Sequence, residues 1–146
     1  MAHAEQTITI KRPSNDVYDF LLDGTNNMHW RPGVLDVQRV PGKPPDVGAV
    51  FKQGVKGPGG RRIDADYEIV EASPNKMNIF QVIAGPARPK GTFSLEPADG
   101  GATRLSFTLH FEPKGFARLM DGMINRTMQS EVAMLTNLKA YLEKPH

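Results

Sequence analysis

The longest stretch of this sequence without proline lies at its C-terminal end, and it constrains the fold more than any other feature. Twelve prolines divide the chain into short segments, yet none falls between Lys114 and Lys144. Proline is excluded from helix interiors because it lacks an N–H and clashes with the preceding turn. Apolar residues recur at helical spacing at positions 116, 120, 123, 124, 128, 134, 135, 138, 141 and 142. The sequence therefore predicts one long C-terminal helix.

The length of this predicted helix sets the size of the domain. A helix of about 28 residues is roughly 40 Å long, whereas a compact chain of 146 residues has a radius of gyration of only about 15 Å. The helix must therefore cross the full width of a single domain, residues 1–146. On a helical wheel its apolar residues share one face, and two polar residues, Thr127 and Glu131, fall on that face as well.

Between residues 34 and 111 the apolar pattern changes to alternation, which is typical of strands with one face in the core. The clearest case is Ile63, Ala65, Tyr67 and Ile69. Turn-forming segments rich in proline and glycine separate the alternating stretches. Together with a strand near the N-terminus, we expect strands at 5–11, 34–40, 47–56, 61–72, 76–84, 90–96 and 102–111.

Two short helices are expected between the first and second strands. Ser14 is a favourable N-cap for a helix that stops at Gly24, and a second helical segment covers residues 26–31. The resulting order predicts an α+β domain in which a seven-stranded curved antiparallel sheet wraps around the long C-terminal helix. A strongly curved sheet that closes on a helix tends to leave a space between them.

This order of elements resembles the helix-grip fold of the START-like, birch-pollen-allergen-like superfamily (SRPBCC), and within it the polyketide cyclase/dehydrase branch. The stretches that carry the resemblance are ITIKRPSNDVYDFLLD at 8–23, HWRPGVLDVQRV at 29–40 and the C-terminal helix. The resemblance implies a largely apolar cavity between sheet and helix, in which relatives bind lipids, sterols, plant hormones or polyketide intermediates. Members share no short catalytic signature, so both carriers and enzymes remain open.

Candidate ligand-binding residues lie on the inward faces of the predicted sheet and helix. Gln53 and Tyr67 are the polar exceptions at inward strand positions, and a few hydrogen-bonding groups in an apolar cleft orient a ligand. Flexible methionines in the helix suit an adaptable cavity wall as well as ordinary core packing. The predicted set is Trp30, Phe51, Gln53, Tyr67, Phe93, Met120, Met123, Ile124, Thr127 and Glu131. For strand 76–84 the apolar pattern does not decide which residues face inward.

Three residues are candidates for proton transfer: Glu131, Tyr67 and His29. A desolvated carboxylate on an apolar helix face has a raised pKa, which suits acid or base catalysis. The alternative for Glu131 is an ion pair with an arginine or lysine of a neighbouring strand, or a helix rotation that exposes it to solvent. The alternatives for Tyr67 and His29 are a buried ring with its hydroxyl at the rim and a structural histidine.

Composition excludes several classes of function. The chain has no cysteine, which excludes a disulfide framework, iron–sulfur clusters and thiol catalysis. No two histidines have the spacing of a metal site, so neither a metal nor a cofactor is predicted. A formal net charge of +2 does not imply a nucleic-acid partner. No apolar run approaches the roughly 20 residues of a membrane span, and the N-terminus has no apolar signal core.

The sequence thus predicts a cytoplasmic protein, monomer or homodimer, that binds a small hydrophobic or aromatic molecule between its sheet and its C-terminal helix. The alternative is a polyketide cyclase or dehydratase that uses proton transfer by cavity residues.

Overall fold

The computed structural model of the chain describes residues 2–42, 44–85, 88–111 and 121–144. In this part of the chain one antiparallel sheet contains eight strands: β1 Ala2–Ile10, β2 Val34–Arg39, β3 Val50–Lys56, β4 Arg62–Asp64, β5 Tyr67–Ser73, β6 Met77–Val82, β7 Lys90–Ala98 and β8 Ala102–Phe111. Seven of them form the order β1-β8-β7-β6-β5-β3-β2, and the short β4 pairs with β3. The predicted α+β fold with a seven-stranded curved sheet is confirmed.

The eighth strand arises because the predicted strand 61–72 is interrupted. Between β4 and β5, the carboxylate of Asp66 accepts a hydrogen bond from the backbone N–H of Gln53 at 3.0 Å. A side-chain carboxylate thus takes the place of a backbone carbonyl as the acceptor in the hydrogen-bond ladder between β3 and its neighbours. The predicted alternation of inward-facing and outward-facing residues continues across this break, since Tyr67 and Ile69 are buried on β5.

The helices are α1 Ser14–Leu22, a 3₁₀ helix Gly24–His29, α2 Asp121–Ala133 and α3 Leu135–Glu143. The predicted long C-terminal helix is confirmed, and it is divided at Met134 into α2 and α3. There the N–H of Met134 bonds to the carbonyl of Glu131, three residues back, at 3.1 Å, which is the tighter 3₁₀ spacing. Positions 114–120 of the predicted helix lie outside the described residues. Among the described helices, none is long and apolar enough to cross a membrane.

The start of α1 also differs from the prediction. Pro13 occupies the N-cap position, and the hydroxyl of Ser14 instead hydrogen-bonds to that of Thr103 at 3.0 Å. Thr103 donates in turn to the carbonyl of Arg12 at 2.8 Å. These bonds fasten the start of α1 to the start of β8, which explains why the polar Thr103 is fully buried.

The core lies between the inner face of the sheet and the helices. α2 and α3 pack against β1, while α1 packs against β6, β7 and β8. The largest fully buried side chains come from both layers: Trp30, Phe51, Phe107, Ile10, Ile69, Leu105, Leu135 and Leu138. The inward face of β6, which the sequence left open, consists of Asn78, Phe80 and Val82.

Candidate functional site

A small cavity lies between the inner face of the sheet and the segment formed by α1 and the 3₁₀ helix. Its lining consists of Leu21, Asn27, Arg31, Tyr67, Ile69, Asn78, Phe80 and Phe93. Its volume is about 10 Å³, near the minimum that one water molecule needs. Half of these residues are apolar and half are polar, an unusual share for a protein interior.

The pairing register of the strands places the residues of the cavity floor side by side. β5, β6 and β7 are neighbours, with Ile69 opposite Phe80 and Asn78 opposite Phe93. Side chains two residues apart on a strand point to the same face, so Tyr67 and Ile69 share the inner face. The roof comes from Leu21 on α1 and from the 3₁₀ helix, whose first turn is capped by the Asp23 carboxylate.

Asn27, on that 3₁₀ helix, connects the roof to the sheet. Its Nδ2 donates to Oε1 of Gln53 at 2.9 Å and to the hydroxyl oxygen of Tyr67 at 3.0 Å. All three residues are buried, with 7%, 2% and 6% of their surfaces exposed. Because buried polar groups are costly without partners, this shared amide holds the roof in one position over β3 and β5.

Tyr67 keeps its proton in this environment. Burial raises the pKa of its hydroxyl, and this outweighs the lowering by the Asn27 hydrogen bond and by the charge of Arg31. The oxygen accepts from Asn27, and no described residue accepts the hydroxyl proton. Gly24 explains the close fit, because a Cβ at this position would collide with the Tyr67 hydroxyl. Tyr67 is therefore a protonated donor at the cavity wall.

Arg31 follows the 3₁₀ helix and forms an ion pair with Glu131 of α2, Nη2 to Oε2 at 2.8 Å. The Arg31 side chain is 12% exposed and that of Glu131 is 30% exposed. The pair agrees with the alternative of an arginine partner for Glu131, although Arg31 lies in a loop and not in a strand. Within the described chain, the buried Nε of Arg31 and Nε1 of Trp30 have no hydrogen-bond partner.

Asn78 is the second amide of the cavity wall. It is only 2% exposed, and none of the hydrogen bonds in the described part of the chain involves its side chain. Polar groups inside proteins are almost always hydrogen-bonded, either to other protein groups or to water. The position of Asn78 among Ile69, Phe80 and Phe93 therefore indicates a group that water or a ligand completes.

The sequence-predicted binding residues fall into distinct places. Tyr67 and Phe93 line the cavity. Trp30, Phe51 and Gln53 are buried beside it: Phe51 stacks on Tyr67 with ring centroids 5.2 Å apart. Met120 and the side chains of Met123 and Ile124 lie outside the described residues.

Two candidates lie away from this cavity. Thr127 is exposed on α2, which corrects its helical-wheel placement: the buried face of α2 contains Met128 and Val132, so Thr127 is turned outward by about one residue step of 100°. His29 is also exposed, and its ring stacks on Tyr141 with centroids 4.9 Å apart. His29 thus belongs to a surface aromatic contact between the 3₁₀ helix and α3.

Asn27, Arg31 and Asn78 were not predicted as site residues. Asn27 lies in a short helix without apolar periodicity, where no pattern assigns an inward face. Asn78 follows by parity from Phe80, but that strand has apolar residues on both faces. Among the described residues, no group of three or more histidine, aspartate or glutamate side chains is arranged to hold a metal ion.

Comparison with known proteins assigns the family. The family model described as "Polyketide cyclase / dehydrase and lipid transport" matches residues 1–143. The chain belongs to this family. No protein of curated function gives a significant match to the sequence.

Solved structures that share the fold include an aromatase/cyclase and a START superfamily protein. The Zhui aromatase/cyclase from Streptomyces sp. R1128 is 15% identical, with a TM-score of 0.79 over 97% of this chain and 93% of that one. A START superfamily protein from Mycobacterium smegmatis is 15% identical, with a TM-score of 0.78 over 98% of both chains. Ara h 8.0201 is 17% identical, with a TM-score of 0.73 over 95% of both. At these identities the likeness shows the helix-grip fold alone.

The Asn27 side-chain amide donates to both Gln53 and Tyr67, so its replacement tests how much this network stabilises the folded protein. We expect Asn27→Leu to lower the free energy of unfolding by about 2–4 kcal/mol, because two buried acceptors lose their donor. Urea unfolding measures this. A further Gln53→Leu replacement recovers part of the loss, since it removes one orphaned acceptor. Asn15→Leu, at an exposed position of α1, serves as the control and changes stability by less than about 0.5 kcal/mol. Equal effects at the two asparagines would contradict the network's role.

The raised pKa of Tyr67 predicts how stability depends on alkaline pH. The folded pKa lies above the ordinary value of 10.0, so the unfolded chain loses this proton first as pH rises. The stabilising contribution is complete below about pH 10 and is lost progressively above it. Tyr67→Phe should flatten the fall of the urea midpoint above about pH 10. Burial also raises the pKa of Tyr18, so the double variant with Tyr18→Phe should be flatter still. An unchanged slope in Tyr67→Phe would refute the assignment.

Proposed function

We propose that this protein binds a small hydrophobic or aromatic molecule between its curved sheet and the helices that cover it. The wall of the cavity supports this proposal. Apolar side chains surround the Asn78 amide and the Tyr67 hydroxyl; within the described chain the amide has no hydrogen-bond partner and the hydroxyl proton has no acceptor. Ligand sites in proteins combine an apolar lining with a few fixed polar groups. Membership of a family described by cyclase, dehydrase and lipid-transport activities supports the same conclusion.

Ligand binding requires the cavity to expand, because about 10 Å³ cannot hold an aromatic ring. The side chain best placed to move is Phe80, whose ring lies directly over Gly91 on β7, where a Cβ would collide with it. Rings of Tyr67 and Phe93 lie 5.2 Å and 5.9 Å from it, centroid to centroid. A flat ligand that displaces Phe80 therefore meets aromatic faces on both sides, which favours offset stacking.

Fluorescence of N-phenyl-1-naphthylamine, a neutral apolar probe, tests the proposal. We expect saturable enhancement with the wild-type protein, and at least about tenfold weaker binding to Gly91→Ala, because the added methyl group drives the Phe80 ring into the cavity. Gly33→Ala is the matched control, since a Cβ there meets no atom within 4 Å.

Two outcomes would reject ligand binding at this cavity: no saturable enhancement in the wild type, or equal affinity in the two glycine variants. If neither outcome is found, native mass spectrometry of freshly purified protein identifies which molecule the cavity retains.

A second candidate function is a cyclase or dehydratase activity that moves protons inside the same cavity. Tyr67 favours it, because a hydroxyl that keeps its proton and has no acceptor can protonate a leaving hydroxyl or a carbonyl oxygen. The positive charge of Arg31 lowers the pKa of Tyr67, although by less than burial raises it, and it would stabilise an oxyanion that forms beside it.

The enzymatic alternative is tested with a β-hydroxy ketone that bears a phenyl group on its hydroxyl carbon. Loss of water breaks the C–O bond and the α C–H bond. Tyr67 gives its proton to the departing hydroxyl, the resulting phenolate takes up the α-proton, and the conjugated enone that forms is followed by ultraviolet absorbance. If Tyr67 protonates the leaving hydroxyl, Tyr67→Phe should lower the rate by about 10²-fold or more, while Gly33→Ala leaves it unchanged. No rate above that in buffer, or an equal rate in Tyr67→Phe, would leave binding as the function.

A further inference from the structure

Arg31 is the only charged residue among the eight that line the described cavity. Its ion-pair partner Glu131 is absent from that lining and is 30% exposed. The pair therefore places its cationic residue, and not its anionic one, in the wall of the cavity. A buried site with an uneven charge of this kind attracts a group of the opposite sign.

The ion pair uses only part of the arginine. One edge of a guanidinium presents Nε–H and an Nη2–H in parallel, spaced to match the two oxygens of one carboxylate. Glu131 contacts Nη2 at 2.8 Å, while Nε has no partner in the described chain. Half of this fork is therefore vacant, at a position where an unpaired buried N–H is costly.

Two uncharged hydrogen-bond donors, the Tyr67 hydroxyl and the Asn78 amide, lie in the same cavity wall as Arg31. The Tyr67 hydroxyl has no acceptor for its proton among the described residues, and its raised pKa keeps that proton in place. The Asn78 amide makes no other hydrogen bond there, so it can present Nδ2. Asn27 cannot contribute a donor, because both of its N–H groups are engaged by Gln53 and Tyr67.

Other arginines of the described chain do not have this arrangement. Arg62 is satisfied by Asp36 and Asp64, and Arg104 bridges Glu96 with both side chains 60% exposed. Exposed pairs of this kind bind anions only weakly because water screens them. Arg31 is the one that combines burial, a vacant donor and a cavity.

We propose that the ligand of this cavity carries a carboxylate next to an aromatic or apolar body, and that the guanidinium of Arg31 binds this carboxylate with help from Tyr67 and Asn78. The ligand oxygens fill the vacant Nε position and compete with Glu131 for Nη2, while Glu131 turns toward solvent. This inference rests on the proposed binding function and specifies the class of molecule that is bound.

Isothermal titration calorimetry with 2-naphthoate and 2-naphthamide tests the inference, because the two ligands share ring and shape and differ in charge. The wild-type protein should bind 2-naphthoate at least about tenfold more tightly, equivalent to about 1.4 kcal/mol. Arg31→Gln should abolish the preference. Arg104→Gln removes the same charge at a distant exposed site and should retain it.

Glu131→Gln provides a test that does not depend on removing the arginine. It should strengthen 2-naphthoate binding several-fold, because the competing carboxylate is gone, and leave 2-naphthamide nearly unchanged. If Arg31→Gln fails to fold, as judged by circular dichroism, this variant decides. Unchanged or weaker 2-naphthoate binding in Glu131→Gln overturns the inference.

The single tryptophan of the chain reports where the ligand binds. The Arg31 guanidinium lies 5.8 Å from the Trp30 ring centroid, so the one indole N–H signal in a nitrogen-15 spectrum should shift when 2-naphthoate binds. Saturable binding without this shift places the ligand elsewhere and overturns the inference.

The failure of this inference is distinguishable from failure of the proposed function. If N-phenyl-1-naphthylamine binds with the glycine dependence described above but 2-naphthoate shows no preference over 2-naphthamide, the cavity binds neutral ligands and the carboxylate is rejected. If no probe binds, the proposed function and the inference fail together.

Discussion

The burial of Trp30 is the contact on which the rest of the structure depends. Its ring packs against Phe93 and Phe107 of the sheet in edge-to-face geometry, with centroids 6.3 Å and 6.2 Å apart. Its carbonyl accepts a hydrogen bond from Asn137 of α3 at 3.2 Å, and the next residue, Arg31, pairs with α2. One short segment thus contacts the sheet and both C-terminal helices, and the cavity lies beside this junction.

The polar cluster next to this junction costs stability compared with an apolar core of the same size. A core built only for stability would place apolar side chains at positions 27, 53 and 78, because buried amides lose their hydration and gain little net free energy from their hydrogen bonds. Asn27 donates to Gln53 and to Tyr67, whereas the Asn78 side chain and the Nε of Arg31 have no hydrogen-bond partner in the described chain. Local departures from good packing and pairing of this kind are characteristic of functional sites.

Much of the fold could be predicted because its patterns are strictly periodic. Alternation at Tyr67 and Ile69 placed these residues inward, and helical spacing identified the C-terminal helix. The patterns did not predict the interruption between β4 and β5, where the Asp66 side chain replaces a backbone acceptor, or the tightening of the C-terminal helix at Met134. The site was harder, since Asn27 and Arg31 occupy irregular segments whose position depends on tertiary contacts that no local pattern encodes.

The break at Met134 divides the covering layer into two units with different attachments. α3 is fastened to the chain around β1 by short bonds, from Lys139 to the Thr9 carbonyl at 2.6 Å and from the Lys11 N–H to Glu143 at 2.8 Å. The described polar contacts of α2 with β1 are longer, at 3.4 Å to the backbone of His3. α2 contacts the rest of the fold chiefly through its buried Met128 and Val132 and through the ion pair of Glu131 with Arg31 at 2.8 Å. The two halves of the C-terminal helix are therefore held at different places: α3 at the end of β1, and α2 at an arginine of the cavity wall.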